Sequence, residues 1–336
     1  MKTQRKRVLL LFAGGAPLLD SDGNVRTVEK AQDLRPWLQQ VPELSILADV
    51  EPVFLLSGNA FDVQPQWWQR IALAIQEHIA TVDGVIVTQP VDVIPYTAAA
   101  LTLMVRQCGK PIIITGASEL SAPATHRAGK DVRGSDVGIR ANLVNAMQVA
   151  TLDLGEIVVL FGNRLLRAGT VVRQAEPSPN LFESIGVEPL GRVDFGLKLA
   201  NHRQHRKVGK PLFTTAVESG VVQLTLIPTA LEHNLSSLDV PDISGILVSG
   251  QSQGVPQGLL AKIRARAEAR KLPLAYAVPW RAVRVPVGYL PIPRVTQVMA
   301  LVKFMWALGQ TKSGKRLQTL LKTNIAGEQI AGGHHP

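Results

Sequence analysis

Val8-Leu9-Leu10-Leu11-Phe12-Ala13-Gly14-Gly15-Ala16 is the stretch that decides the architecture. Five consecutive apolar residues are too few for a helix to bury a full face, and two adjacent glycines stop the run abruptly. The pattern predicts a strand buried on both faces that ends in a tight turn. Lys2, Arg5, Lys6 and Arg7 in front of it imitate the charged start of a secretory leader. The apolar run is shorter than the roughly 7–15 residues such a leader uses, so the strand reading is preferred. Working outward, short apolar runs at 53–56, 84–88, 111–115 and 156–161 alternate with stretches of helical period at 67–79, 96–108 and 139–150. Such alternation predicts an α/β fold with a doubly wound, mostly parallel sheet, whose ligands sit at the carboxyl ends of the strands.

A chain of 336 residues exceeds what one hydrophobic core usually supports. The expected division is a larger domain over 1–191, a polar, basic linker over 192–212, and a second, smaller α/β domain over 213–336. In that last segment strands are expected at 221–227, 245–249 and 274–278, around a helix at 258–270 and before a final helix at 294–308.

Composition narrows the function classes. With 46% hydrophobic and 18% charged residues the chain can bury a substantial core and lacks the signature of disorder. Cys108 is the single cysteine, so no internal disulfide can form, and no Cys/His cluster has the spacing of a zinc site. A reducing, cytoplasmic location is expected, with no metal and no cofactor. No stretch reaches the roughly 18 uninterrupted apolar residues of a membrane span, so no membrane partner is expected.

The formal net charge of +10 raises the question of nucleic acid. One basic run, Lys198 with Arg203, Arg206, Lys207 and Lys210, includes His202 and His205 but no aromatic residue for base stacking. The other, Lys262, Arg264, Arg266, Arg270 and Lys271, is broken by Glu268 like an ordinary solvated helix face. Weak, non-specific nucleic-acid binding at most is the expectation. The pair Trp67-Trp68 reads as a helix burying one aromatic against the sheet.

The strand-end motifs carry the functional reading. Ala13-Gly14-Gly15-Ala16 follows the first strand, and the glycines let backbone N–H groups approach a ligand. Gln89-Pro90-Val91-Asp92-Val93 follows the third, with Tyr96-Thr97-Ala98 opening a helix; an acidic residue just past a strand end suits an amine, although helix capping is its commoner use. Gly109-Lys110-Pro111-Ile112-Ile113-Ile114-Thr115-Gly116 follows. Further along stand Ser135-Asp136 with Asn142-Leu143-Val144-Asn145-Ala146, then Gly162-Asn163-Arg164 and Ser178-Pro179-Asn180. Together with Gly254-Val255-Pro256-Gln257 and Asn324-Ile325-Ala326-Gly327-Glu328, these motifs, in this order, resemble the type I (cytoplasmic-type) L-asparaginase family over nearly the whole chain.

The resemblance implies an asparaginase-like fold, a homo-oligomer (a dimer or a dimer of dimers) and a chemistry in which a threonine hydroxyl attacks an amide carbonyl. It also implies which positions should carry that chemistry, and there the sequence departs from the pattern. The nucleophilic threonine falls on Ala16, the second threonine on Val91, the lysine on Arg173, the serine that holds the substrate carboxylate on Ala60, and the loop tyrosine near Asn24. Of the catalytic set only Asp92 keeps its chemistry. The ligand-binding set implied is Gly14, Gly15, Asn59, Ala60, Gln89, Asp92, Ser118 and Arg173.

Three functions follow as expectations. The first is a pseudoenzyme that binds a small amino-acid-like or anionic metabolite, or a protein partner, without amide hydrolysis. The second is an asparaginase-type amidohydrolase working through altered residues such as Ser118 or Thr115. The third is a basic scaffold for RNA or protein. Tyr96 and Thr97 read as packing and helix-start residues, and Asp136 as a loop stabiliser.

Overall fold

The computed structural model describes residues 5–16, 18–19, 25–26, 28–56, 64–117, 133–174, 180–193, 196–226, 232–250, 256–278 and 285–330. Its centre is an eight-stranded sheet. From one edge to the other the strands are Leu197–Leu199, Gly191–Val193, Arg164–Arg167, Ile157–Phe161, Ile112–Thr115, Gly84–Thr88, Arg7–Phe12 and Asp49–Phe54. The five from Ile157–Phe161 onward run parallel, and the three at the other end are added as antiparallel hairpins.

The continuous apolar runs conceal a period of two, as the pleat requires. Leu9, Leu11, Val85, Val87, Ile112 and Ile114 face one hydrophobic cluster, with Trp68, Ile71 and Ile75 of helix Pro65–His78 and most of helix Ile94–Met104. Val8, Leu10, Ile86, Ile113, Val158 and Leu160 face the other, with Trp37, Leu44, Leu143 and Met147 from the helices Leu34–Gln39, Pro42–Leu47 and Arg133–Thr151. Helices therefore cover both faces, and the fold is doubly wound α/β.

A second, four-stranded parallel sheet follows, ordered Val221–Leu226, Gly245–Gly250, Leu274–Val278, Leu290–Pro293. One face packs on helix Gln257–Ala269 through Ile246, Val248, Leu260, Ile263 and Tyr276. From the other face Leu247, Ala275 and Ile292 join the first cluster of the large sheet, together with Met299, Phe304 and Trp306 of helix Gln297–Gln310.

That helix carries a fully buried cation. Lys303 Nζ donates to Glu328 Oε1 and to the Thr323 carbonyl, both at 2.6 Å, and the Glu328 carboxylate also accepts from the backbone N–H groups of Ile325 and Ala326. Burial pulls the Lys303 ammonium below its ordinary value, opposed by the charge of Glu328. For Glu328 burial works in the raising direction. The Lys303 charge and the hydrogen bonds from Lys303, Ala326 and Ile325 outweigh it and hold the carboxyl below its usual range. The pair pins the C-terminal segment against the shared helix.

Three elements differ from the sequence reading. The helix expected over 96–108 ends at Met104, because Val105–Arg106 leaves it to pair antiparallel with Leu212–Phe213, after which Gln107 adopts a left-handed φ of 55°. The last helix is followed by another, Gly314–Lys322, capped by Ser313, which the sequence reading did not separate. The stretch 192–212 carries two sheet strands at its start. Arg192 and Lys198 are exposed on these last two strands of the sheet, which is why the segment reads as polar throughout. Of the tryptophan pair, Trp68 is buried, whereas Trp67 is half-buried under the Arg70 guanidinium, 4.3 Å from its ring centre.

Glu328→Gln keeps an acceptor for the backbone but removes the charge opposite Lys303. Leaving one buried charge uncompensated costs about 3–5 kcal/mol, which denaturant unfolding would read directly. Since the folded carboxyl lies below its ordinary value of 4.5, its stabilising contribution is complete above that value and is lost as the pH falls through the folded one. Wild-type melting temperature should therefore fall on the acid side of 4.5 more steeply than that of Glu328→Gln.

Candidate functional site

The carboxyl ends of three central strands are level, with Phe12 beside Thr88 and Thr88 beside Thr115. The chain leaving each strand is tied to its neighbour. Ala13 N donates to the Thr88 carbonyl (3.1 Å), Gln89 N to the Thr115 carbonyl (2.9 Å) and Ala117 N to the Gly15 carbonyl (2.8 Å). Both glycines facing the Gln89 backbone are required by contact. A Cβ on Gly15, whose φ is +67°, would lie 2.0 Å from the Gln89 carbonyl carbon, and one on Gly116 would lie 1.8 Å from the Gln89 oxygen. Gly14, at φ 87°, supplies the other left-handed step of the turn. Asn142 secures the third loop by donating to the Gly116 carbonyl and accepting from Gly162 N, both at 3.1 Å.

The side chains carried by this frame divide sharply. Ala16 is buried in the cluster that contains Trp37, whose indole Nε1 donates to the Ala16 carbonyl at 2.8 Å. Val91 is buried in the cluster on the opposite face of the sheet. Asp92 and Arg173, far apart in sequence, are brought together: Arg173 Nη1 meets Asp92 Oδ1, with both side chains a little under half exposed. Arg173 reaches this point from the end of strand Val171–Arg173, which is paired with Phe182–Ser184. At that exposure the mutual attraction of the pair is screened by solvent and contributes little to stability.

Gln89 is fully buried, and neither of its amide atoms has a hydrogen-bond partner among the described residues; the same is true of the hydroxyls of Thr88 and Thr97. Buried polar atoms are nearly always paired, so three such side chains on one strand end and the following helix are unusual. The sequence motif marked Gln89, but Thr88 went unnoticed because a strand threonine has an ordinary reading. The Trp37 anchor was equally invisible, lying 21 residues from the carbonyl it holds.

Thr115, a candidate replacement nucleophile, is fully buried and donates to the Leu160 carbonyl at 2.8 Å; that hydroxyl is committed to joining two strands. Tyr96 is the exposed residue of an otherwise buried helix, and Thr97 is buried. Asn24, Asn59, Ala60 and Ser118 lie outside the described residues, as does the side chain of Asp136. No group of three or more His, Cys, Asp or Glu among the described residues is arranged to hold a metal ion. In chemical terms, neither Ala16 nor Val91 has an atom that can attack a carbonyl. The guanidinium of Arg173 offers only hydrogen-bond donors.

A doubly wound sheet with glycine turns at its carboxyl ends, followed by a smaller parallel sheet, makes this a two-sheet α/β protein, and its fold is shared with solved L-asparaginases. Residues 7–205 match the family model described as Asparaginase, N-terminal, and the chain belongs to the asparaginase family. It is 30% identical to a glutamyl-tRNA(Gln) amidotransferase component from Methanosarcina barkeri, over 96% of this chain and 78% of that protein. It is 26% identical to the L-asparaginase of Thermococcus kodakarensis, over 84% of this chain and 86% of that one. The solved structure of the thermostable L-asparaginase from Thermococcus kodakarensis superposes with a TM-score of 0.75 at 24% identity, covering 97% of this chain and 99% of that chain. L-asparaginase I from Vibrio cholerae gives 0.76 at 20%, covering 97% and 100%. Both share the fold.

Gly15→Ala combines a left-handed dihedral with a backbone clash. The dihedral alone costs about 1–2 kcal/mol, and moving the Gln89 peptide adds to it. Gly116→Ala meets the same peptide without the dihedral cost. Both variants should melt below the wild type, Gly15→Ala the lower of the two, in a thermal unfolding series; a Gly15→Ala protein as stable as the wild type would contradict the close approach.

Proposed function

We propose that this protein binds an amino-acid-like small molecule at the carboxyl ends of the large sheet without hydrolysing an amide. The observation that carries the reading is the division of the strand-end side chains. Ala16 and Val91, aligned with the family's two hydroxyl positions, are absorbed into hydrophobic clusters on opposite faces of the sheet, while Asp92 and Arg173 remain charged and accessible. A carboxylate and a guanidinium fork side by side suit the ammonium and carboxylate ends of a zwitterion. The unpaired amide of Gln89 and hydroxyl of Thr88 would complement further polar groups of such a ligand. The remaining candidates, Gly14, Gly15, Asn59, Ala60 and Ser118, belong to this proposed site by their place in the motifs.

An ammonia-release assay with L-asparagine and L-glutamine tests the silent chemistry. No turnover above background is expected. Ala16→Thr should not restore it, because Val91 and Arg173 still lack the hydroxyl and the titratable amine. That substitution should also destabilise by about 1–3 kcal/mol, the usual cost of a buried hydroxyl without a partner. Robust turnover abolished by Asp92→Ala would overturn the reading and show an amidohydrolase working through other residues. Binding is tested separately by thermal shift with L-aspartate and L-asparagine: a concentration-dependent rise in melting temperature, lost in Asp92→Asn and in Arg173→Gln, is expected.

A protein partner is favoured as a second reading by the relatives that are named as amidotransferase subunits, of which this chain spans about three quarters. The family resemblance also favours a closed homo-oligomer, since most soluble oligomers adopt such symmetry. Light scattering at micromolar concentration should return a multiple of the 36.3 kDa chain mass. The RNA scaffold is disfavoured by how the basic helix is used. Arg266 donates to the Leu235 carbonyl, Arg270 to those of Leu238 and Val240, and Arg264 pairs with Glu268.

A further inference from the structure

A cavity of about 540 Å³ lies at the opposite, amino-terminal end of the large sheet. It opens between the entries to strands Ile112–Thr115 and Ile157–Phe161, the short strand Val105–Arg106, the segment 204–210 and the C-terminal segment at Ile325-Ala326. We propose that it is a second binding site, for a small phosphate-bearing molecule, separate from the strand-end site described above.

Charge is the first argument. Four cationic side chains line the cavity (Arg106, Arg167, Lys207 and Lys210) against one acid, Glu156. Glu156 is already matched. Arg167 Nε and Nη2 donate to its two oxygens at 2.8 and 3.3 Å, and Gln204 N donates to Oε1 at 2.6 Å. Arg106, Lys207 and Lys210 have no acidic partner among the described residues, so the cavity carries three uncompensated positive charges. The Arg106 Nε atom is moreover buried without any hydrogen-bond acceptor among those residues. A buried guanidinium N–H left unpaired is costly, and an anionic oxygen in the cavity would relieve that cost. A phosphate group offers several acceptor oxygens and up to two charges, which suits a guanidinium fork flanked by two ammonium groups better than a single carboxylate does.

The second argument is that the wall bearing these charges is built, not a loose tail. Gly155 N donates to the Gln204 carbonyl (2.8 Å) and Lys207 N to the Gly109 carbonyl (3.0 Å). The approach is so close that a Cβ on Gly155 would lie 2.4 Å from the His205 oxygen, and one on Gly109 2.2 Å from the Lys207 oxygen. Arg206, between them, turns away from the cavity and donates to the carbonyls of Asp83, Leu152 and Ala150, while Asp153 accepts from His205 Nδ1 and from Arg206 N. A wall fixed in this way leaves little ordering entropy to be lost on binding. Val105 and Ile157 supply apolar surface beside the cations, and the volume falls in the range of small-molecule sites, about 300–1,000 Å³. A molecule with a phosphate at one end and a compact organic body fits this lining.

Calorimetric titration of the full chain with inorganic pyrophosphate, at constant ionic strength, tests the site. Saturable binding is expected, weakened at least about tenfold by Arg106→Gln and by Lys207→Gln, which corresponds to about 1.4 kcal/mol. Lys207 is exposed, so its variant reports even where Arg106→Gln fails to fold. Lys315→Gln, which removes the same charge from an exposed helix elsewhere, and Arg173→Gln, which removes the strand-end cation, should bind pyrophosphate as the wild type does. Absence of saturable binding would overturn the proposal, as would equal weakening by Lys315→Gln or loss in Arg173→Gln, which would place the anion at the strand-end site instead. Tight binding of a single-stranded oligonucleotide with no response to pyrophosphate would also count against it, assigning the charge to a polymer.

Discussion

The peptide of Gln89 is held between two glycines, and the geometry of the strand ends depends on that contact. Gly15 and Gly116 belong to different loops, and each approaches the same carbonyl closely enough to exclude a Cβ. Because strands Arg7–Phe12, Gly84–Thr88 and Ile112–Thr115 are already in parallel register, this contact fixes how the chain departs from all three. It therefore fixes where Ala16, Val91 and Asp92 stand. The frame of the site is set by backbone packing among Gly15, Gln89 and Gly116.

The legibility of the sequence followed the range of the interactions involved. Strands of five apolar residues closed by glycine are readable because local pattern and burial agree there, and Asp92 and Arg173, which the family resemblance names in one set, are in contact. Helix Ile94–Met104 was read too long because Val105–Arg106 is apolar enough to continue it, and only the distant partner Leu212–Phe213 draws it out into a strand. Strands Gly191–Val193 and Leu197–Leu199 are masked in the sequence by their exposed Arg192 and Lys198. Lys303 shows the same limit most clearly. A lysine in an apolar helix reads as a solvent-facing residue, and nothing within a turn of it announces Glu328, 25 residues away.

Buried polar groups are distributed in two distinct ways in this molecule. The Lys303–Glu328 pair is fully satisfied: every hydrogen-bonding partner is supplied by the chain, so it stabilises one arrangement of the C-terminal segment and asks nothing of a ligand. Gln89, Thr88 and the Nε of Arg106 are left unpaired by the described residues, and they lie at opposite ends of the same sheet. Such groups are expensive to bury, and buried polar atoms are nearly always paired.

The two ends also differ in the balance of charge, and this separates what each can hold. At the carboxyl ends one carboxylate and one guanidinium sit together, so the local sum is neutral. At the amino ends Glu156 is neutralised by Arg167, and the surplus is wholly positive. Much of the +10 of the chain thus has an address. Part of it, on helix Gln257–Ala269, is committed to the carbonyls of a neighbouring turn, and part lines a cavity whose wall is locked by glycine contacts.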